Sequence, residues 1–186
     1  MNTTNSNIEM KHLIPTISGA LLLLLSSCAS PDALETVDNL ETERYLGTWY
    51  EIARLPNLFE RDLTCVTANY QLGGDGNIIV TNRGFKTGKG TWKEDVGRAR
   101  KPKDSPNSQL KVSFFWPFEG DYYVVALGDD YEYAVVGDPS RKYFWILSRT
   151  PEISERLYQD LLKLGKGLGF ATENVFKTPQ NCGHSD

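Results

Sequence analysis

The amino-acid sequence predicts an all-β fold: an eight-stranded up-and-down antiparallel β-barrel with one C-terminal α-helix packed outside. Three observations lead there. From about Tyr45, short segments alternate apolar and polar residues with period two. Turn-forming residues separate them at hairpin distances, which favours consecutive pairing of neighbours over a sandwich. One late stretch changes to helical period.

Gly47–Arg54 is the first strand. Val66, Ala68, Tyr70 and Leu72 then alternate with Thr67, Asn69 and Gln71, so the second strand has one apolar face. The cluster Gly73-Gly74-Asp75-Gly76-Asn77 is a turn, and Ile78–Phe85 resumes as a strand. Gly90–Lys101 is polar and reads as a long, partly exposed strand, followed by a loop over Lys101–Asn107. Leu110, Val112 and Phe114 alternate with Lys111 and Ser113. Tyr122–Leu127, Tyr133–Gly137 and Tyr143–Ser148 are rich in β-branched and aromatic residues. Gly128-Asp129-Asp130 and Asp138-Pro139-Ser140-Arg141 connect them at hairpin length.

Ser154 opens the helix as N-cap, with Ile153 and Tyr158 at the two hydrophobic-staple positions. Leu157, Leu161 and Leu164 form its apolar face, Lys163 and Lys166 lie near its end, and Gly165 is its expected stop. Too few basic residues line the polar face for a membrane-surface helix, so the leucines are expected to pack on the barrel.

Composition narrows the function. The chain has 186 residues, room for one domain, with net charge −4 and no basic stripe, which excludes a nucleic-acid surface. Its two histidines, His12 and His184, lie near the termini. The body therefore lacks the central group of Ser–His–Asp and Cys–His nucleophilic sites, and of His-ligated zinc and haem. No catalytic residue, metal site or cofactor is expected.

Lys11 precedes an apolar run from Leu13 to Leu25 that ends in Ser26-Ser27-Cys28. As helix the run spans about 20 Å, too short to cross a bilayer, and the small residues after it suit a secretory leader. Leu25-Ser26-Ser27-Cys28 resembles the bacterial lipobox, which implies that Cys28 is lipidated and becomes the mature N-terminus. By the same resemblance, Ala29 favours sorting to the outer membrane. Residues 1–27 are then signal peptide, 28–39 a lipid-anchored tether and 40–186 the folded domain; Met10 is an alternative start. Removing the leader takes away Glu9 and Lys11 and leaves the net charge at −4. Cys65 and Cys182 remain, an even pair in an exported protein, read either as a disulfide or as two buried thiols.

Gly47-x-Trp49 on the first strand, Asp130-Tyr131 at a late hairpin and Arg149 closing the eighth strand resemble the three motifs of lipocalins. Three motifs in order, with a helix after the eighth strand, are specific where one alone would be weak. Gly47–Arg54, Leu110–Phe118 and Tyr143–Pro151 look like the bacterial outer-membrane lipocalins, and the chain also resembles apolipoprotein D and plant temperature-induced lipocalins, from about Asn39 to Gln180. The resemblance implies that Trp49 packs at the closed end of the barrel with Arg149 lying across it, as structure and not as ligand contacts. It also implies a Cys65–Cys182 disulfide, since both stand where apolipoprotein D carries a similar bridge.

An eight-stranded barrel leaves an interior for side chains or one small ligand. With the family register, the inward residues are Val66, Ala68 and Tyr70; Val80 and Asn82; Leu110, Val112 and Phe114; Tyr122, Val124 and Ala126; and Tyr143 and Trp145. The ligand-contact candidates among them are Ala68, Tyr70, Val80, Asn82, Val112, Phe114, Tyr122, Val124, Ala126, Tyr143 and Trp145, with Asn82 a polar exception that could orient a head group. This lining suits an acyl chain with a polar head at the mouth. The expectation is a lipid-anchored outer-membrane lipocalin, its domain facing the periplasm, that binds fatty acids or lysophospholipids for storage or transport in membrane maintenance. The alternative is a lipocalin-fold enzyme acting on lipid in the same cavity, for which Glu51 is the one acid in view. Oligomeric state, monomer or homodimer, is left open.

Overall fold

The computed structural model describes Met1 and residues 33–182. The rest of the expected leader, Cys28 and both histidines lie outside those residues. The barrel strands follow in chain order as β1 (Gly47–Arg54), β2 (Leu63–Leu72), β3 (Ile78–Lys86), β4 (Thr91–Arg100), β5 (Gln109–Phe115), β6 (Phe118–Leu127), β7 (Tyr133–Gly137) and β8 (Phe144–Ser148). Each pairs antiparallel with the next, and β8 returns to β1, so the sheet closes and leaves no long edge. β1 pairs with β2 only as far as Tyr50. Beyond that point a short β9 (Phe176–Lys177) adds to Ala53 and Arg54.

Period-two alternation sorts the apolar residues into two cores. Trp49, Tyr70, Val80, Leu110, Val124, Val136 and Leu147 belong to the inner one. Ile52, Val135, Phe144 and Ile146 belong to the outer one, with Tyr158 and Leu161 of α2 (Glu155–Gly167) and Phe170. The Ser154 hydroxyl caps this helix by accepting from the Leu157 N–H at 3.2 Å. Ile153 and Tyr158 share the outer core, as the staple requires.

The buried line of α2 runs Tyr158, Leu161, Gly165, whereas Leu164 is 37% exposed. Gly165 is therefore a contact residue and not the stop, because a Cβ there would come within 2.7 Å of the Phe144 ring. The helix ends instead on Gly169, at φ +89°. There the Phe170 N–H reaches Gly165 O at 3.1 Å and the Gly169 N–H reaches Lys166 O at 3.0 Å, the paired bonds of a Schellman cap.

Two further expectations change. The last part of the expected tether packs on the barrel: Leu34 is buried, and the Val37 N–H donates to Val124 O at 2.9 Å. Ala126 faces outward, not into the barrel. The β6–β7 register shifts between Val124 and Ala126, so the bulge reverses the phase and Ala126 joins the outer core. A one-turn helix, α1 (Thr42–Tyr45), which the strand pattern does not announce, brings Tyr45 beneath the barrel. Cys65 and Cys182 form a disulfide that fastens the C-terminal tail to β2.

Candidate functional site

One end of the barrel is closed by packing. Trp49 is fully buried, its indole N–H donates to Tyr45 O at 2.8 Å, and the Arg149 guanidinium lies 3.8 Å from its ring centre. Arg149 also donates to the carbonyls of Thr48 at 3.0 Å and Arg44 at 2.7 Å, which ties β8 to β1 and α1. Gly47, at φ +91°, passes close beneath this guanidinium, where a Cβ would meet Arg149 Nη1 at 3.5 Å. Tyr131 takes the left-handed conformation at φ +60° in the β6–β7 turn, next to exposed Asp130, and stacks its ring 4.1 Å from the Arg44 guanidinium. Gly47, Trp49, Asp130, Tyr131 and Arg149 thus belong to the closed end, away from the cavity.

Above this floor three tyrosines from α1, β2 and β6 share their hydroxyls: Tyr45 with Tyr122 at 2.7 Å and Tyr70 with Tyr122 at 2.8 Å. Burial raises the pKa of all three phenols, so they stay protonated and supply a neutral polar spot at the base of an apolar chamber.

The chamber has a volume of about 470 Å³. Nine of the expected candidates line it: Ala68, Tyr70, Val80, Asn82, Val112, Phe114, Tyr122, Tyr143 and Trp145. Val124 faces in but lies in the packed inner core outside the cavity wall. Ala126 is absent from the lining for the reason given above. The Tyr143 and Trp145 rings stack at 5.8 Å and 9°, making one flat wall. Asn82 Oδ1 is a buried oxygen without a hydrogen-bond partner among the described residues, so it is not satisfied by the neighbouring backbone.

The connection between β1 and β2 completes the chamber. Phe59 packs on Tyr143 at 5.7 Å and on Trp145 at 6.4 Å, and Glu60 turns inward to accept from the Trp145 indole at 3.1 Å. Neither residue carries a strand period, so alternation could not find them. Phe115 and Phe118 border the mouth, with Lys93, Asp95, Glu119 and Asp121 around it.

Glu51 also lines the cavity and forms a buried cluster with Glu60 and Arg54. Arg54 pairs with the Glu51 carboxylate and stands 3.7 Å from that of Glu60, while donating to Glu60 O at 2.8 Å. The Thr178 hydroxyl donates to Glu51 at 2.5 Å, and Gln180 donates to Glu51 O at 2.7 Å. Two carboxyls face one guanidinium. Burial first, and Glu60 second, push Glu51 up to about 8 against the opposing pull of Arg54. At neutral pH that shift favours the protonated form of Glu51 within the cluster. It locks the β1–β2 connection and the C-terminal tail to the barrel wall.

Comparisons with known proteins agree with this geometry. A family model described as a lipocalin-like domain matches residues 40–180. The Escherichia coli protein named outer membrane lipoprotein Blc is 43% identical over 162 residues, covering 85% of this chain and 92% of its own. Temperature-induced lipocalin-1 of Arabidopsis thaliana is 38% identical over 156 residues, covering 80% of this chain and 83% of its own. The solved structure of insecticyanin from the tobacco hornworm superposes with a TM-score of 0.63 at 20% identity, over 78% of this chain and 83% of that one.

Proposed function

The chain belongs to the lipocalin family, and from that membership we propose that it is a lipid-anchored outer-membrane protein, facing the periplasm, that holds one fatty acid or lysophospholipid for storage or transport in membrane maintenance. The observation that carries the reading is the chamber: about 470 Å³ of mostly apolar space, open at one end and closed by packing at the other. Such a volume takes a single acyl chain and leaves little room for a second. Each buried methylene contributes about 0.8 kcal/mol, so a chain of ordinary length exceeds the cost of association. Asn82 Oδ1 offers an acceptor to a hydroxyl or ammonium group on the ligand. The names of the bacterial relatives support the outer-membrane assignment, and the lipobox-like segment ending in Cys28 supports the anchor.

Binding, not catalysis, is the mechanism proposed. The acids in the cavity wall are engaged in holding the fold, Glu51 by Arg54 and Thr178 and Glu60 by Asn57 and Trp145. The test is to titrate purified protein with oleate or a lysophospholipid while following tryptophan fluorescence. Saturable change that is mostly lost in Trp145→Phe is expected. A response that persists in this variant would place the ligand elsewhere.

A further inference from the structure

We propose that the base of the chamber is a polar subsite, and that the ligand it selects is an acyl chain hydroxylated at its buried end; this deepens, and rests on, the reading of the cavity as a lipid site. The base joins three elements far apart in sequence, through Tyr45 of α1, Tyr70 of β2 and Tyr122 of β6. The Tyr122 hydroxyl stands 2.7 Å from that of Tyr45 and 2.8 Å from that of Tyr70.

The protons of this cluster do not balance. Each phenol has one proton to donate and lone pairs that accept. Three hydroxyls carry three protons, and the two contacts between them use two. No further hydrogen bond reaches these oxygens among the described residues. Burial keeps all three phenols protonated, so ionisation does not remove the surplus. Tyr70 and Tyr122 line the chamber and Tyr45 does not. The hydroxyl rotors can reverse, which brings the spare proton to one of the two that face the cavity. Val80, Val112 and Leu147 beside them have no side-chain acceptor to offer.

A second orphan stands higher on the wall. Tyr70 pairs with Val80 across β2 and β3, and Ala68 pairs with Asn82, so Asn82 is one inward position nearer the mouth. Its Oδ1 is buried and lacks a partner among the described residues. The chamber thus holds an unused donor at its base and an unused acceptor above it. Water can serve both until a chain fills the space. A saturated chain displaces that water and returns only C–H groups, which leaves buried polar atoms unpaired. A hydroxyl on the chain accepts from the spare phenol proton and donates to a phenol lone pair or to Asn82 Oδ1. An ordinary fatty acid that entered head first would bring a charge to this base, where one spare donor among apolar neighbours cannot replace its hydration.

The test is to titrate purified protein with palmitate and with ω-hydroxypalmitate, chains of equal length that differ by one oxygen, following tryptophan fluorescence. An apolar base would bind the hydroxylated chain about tenfold or more weakly, because its hydroxyl leaves water for no partner. Wild type is expected instead to bind it at least as tightly as palmitate. Tyr70→Phe with Tyr122→Phe strips both wall hydroxyls at nearly constant shape. That variant should favour palmitate about tenfold, with palmitate itself bound as in wild type. Wild type that favoured palmitate tenfold would overturn the proposal, with or without a folded variant. So would an unchanged preference in a double variant whose urea transition is intact. Palmitate and ω-hydroxypalmitate weakened equally in that variant would overturn it too, since the carboxyl end would then be the one at the base. Failure of the lipid reading shows differently: neither chain would bind wild type saturably.

Discussion

Trp49 and Trp116 mark the two ends of one barrel. Trp49 is fully buried between Tyr45, at 4.9 Å, and the Arg149 guanidinium; Trp116 is 86% exposed. The closed end concentrates packing and charge-assisted bonds to backbone carbonyls, all of them internal. The open end places comparable apolar mass in solvent around a chamber. The difference separates the residues that hold the fold from those that can meet a ligand or a surface, and a motif residue is not thereby a site residue. Gly47, Trp49 and Arg149 are the most recognisable positions of the chain and do not line its chamber.

The largest effect should come from emptying the closed end. Trp49→Ala removes a buried indole, a hydrogen bond and a cation–π partner, and should cost about 3–5 kcal/mol in urea or thermal unfolding. Trp116→Ala should change stability by no more than about 0.5 kcal/mol. Comparable losses in the two variants would mean that the ends do not differ as described.

Two alanines sharpen the comparison within the strands. Ala68 lines the chamber, while Ala126, beyond the β6 bulge, packs in the outer core. Ala68→Phe should therefore lower the affinity for oleate about tenfold or more while the fold persists, since its ring projects into empty space. Ala126→Phe should leave binding intact and cost about 1–3 kcal/mol by overpacking the layer it meets. Fluorescence titration and urea unfolding on each variant check both halves, and a reversed pattern would restore Ala126 to the interior.

That reversal at Ala126 shows where reading from sequence succeeds and stops. Period two, with the family register choosing the face, places the inward side of β2, β3, β5 and β8, because in those stretches each step along the strand turns the side chain over once. The bounds expected for β1 and β7, Gly47–Arg54 and Tyr133–Gly137, are those observed. A bulge inserts one residue, and alternation cannot announce it because Val125 and Ala126 are both apolar. Phe59 and Glu60 are invisible for another reason: they sit on a connection, and only closure of the barrel brings Glu60 against Glu51. Gly165 reads as a helix stop because glycine serves stops and close approaches alike; the Phe144 ring decides which.

The smallest expected effect concerns the acid pair at the boundary between the two regions, and its sign is opposite to that of ordinary carboxylates. Glu51 is raised to about 8 by burial and by Glu60, whereas in the unfolded chain it titrates near its ordinary value. Between those values the folded protein holds a proton that the unfolded chain has released. The stabilisation is complete below the unfolded pKa and is lost as pH rises toward 8, levelling above it. Each unit of displacement corresponds to about 1.4 kcal/mol. The histidines that usually dominate this window number two, both near the termini. The carboxylates held low by ion pairs and turn bonds, Asp75, Glu119 and Glu155, act at lower pH. The unfolding free energy from urea titrations should accordingly fall from pH 5.5 to pH 8, by about 1 kcal/mol or more. Glu51→Gln should flatten the dependence, because an amide keeps its neutral charge at every pH. A wild-type midpoint that stayed level or rose across this range would show that Glu51 ionises normally, and that the cluster holding the β1–β2 connection over the chamber carries no proton of its own.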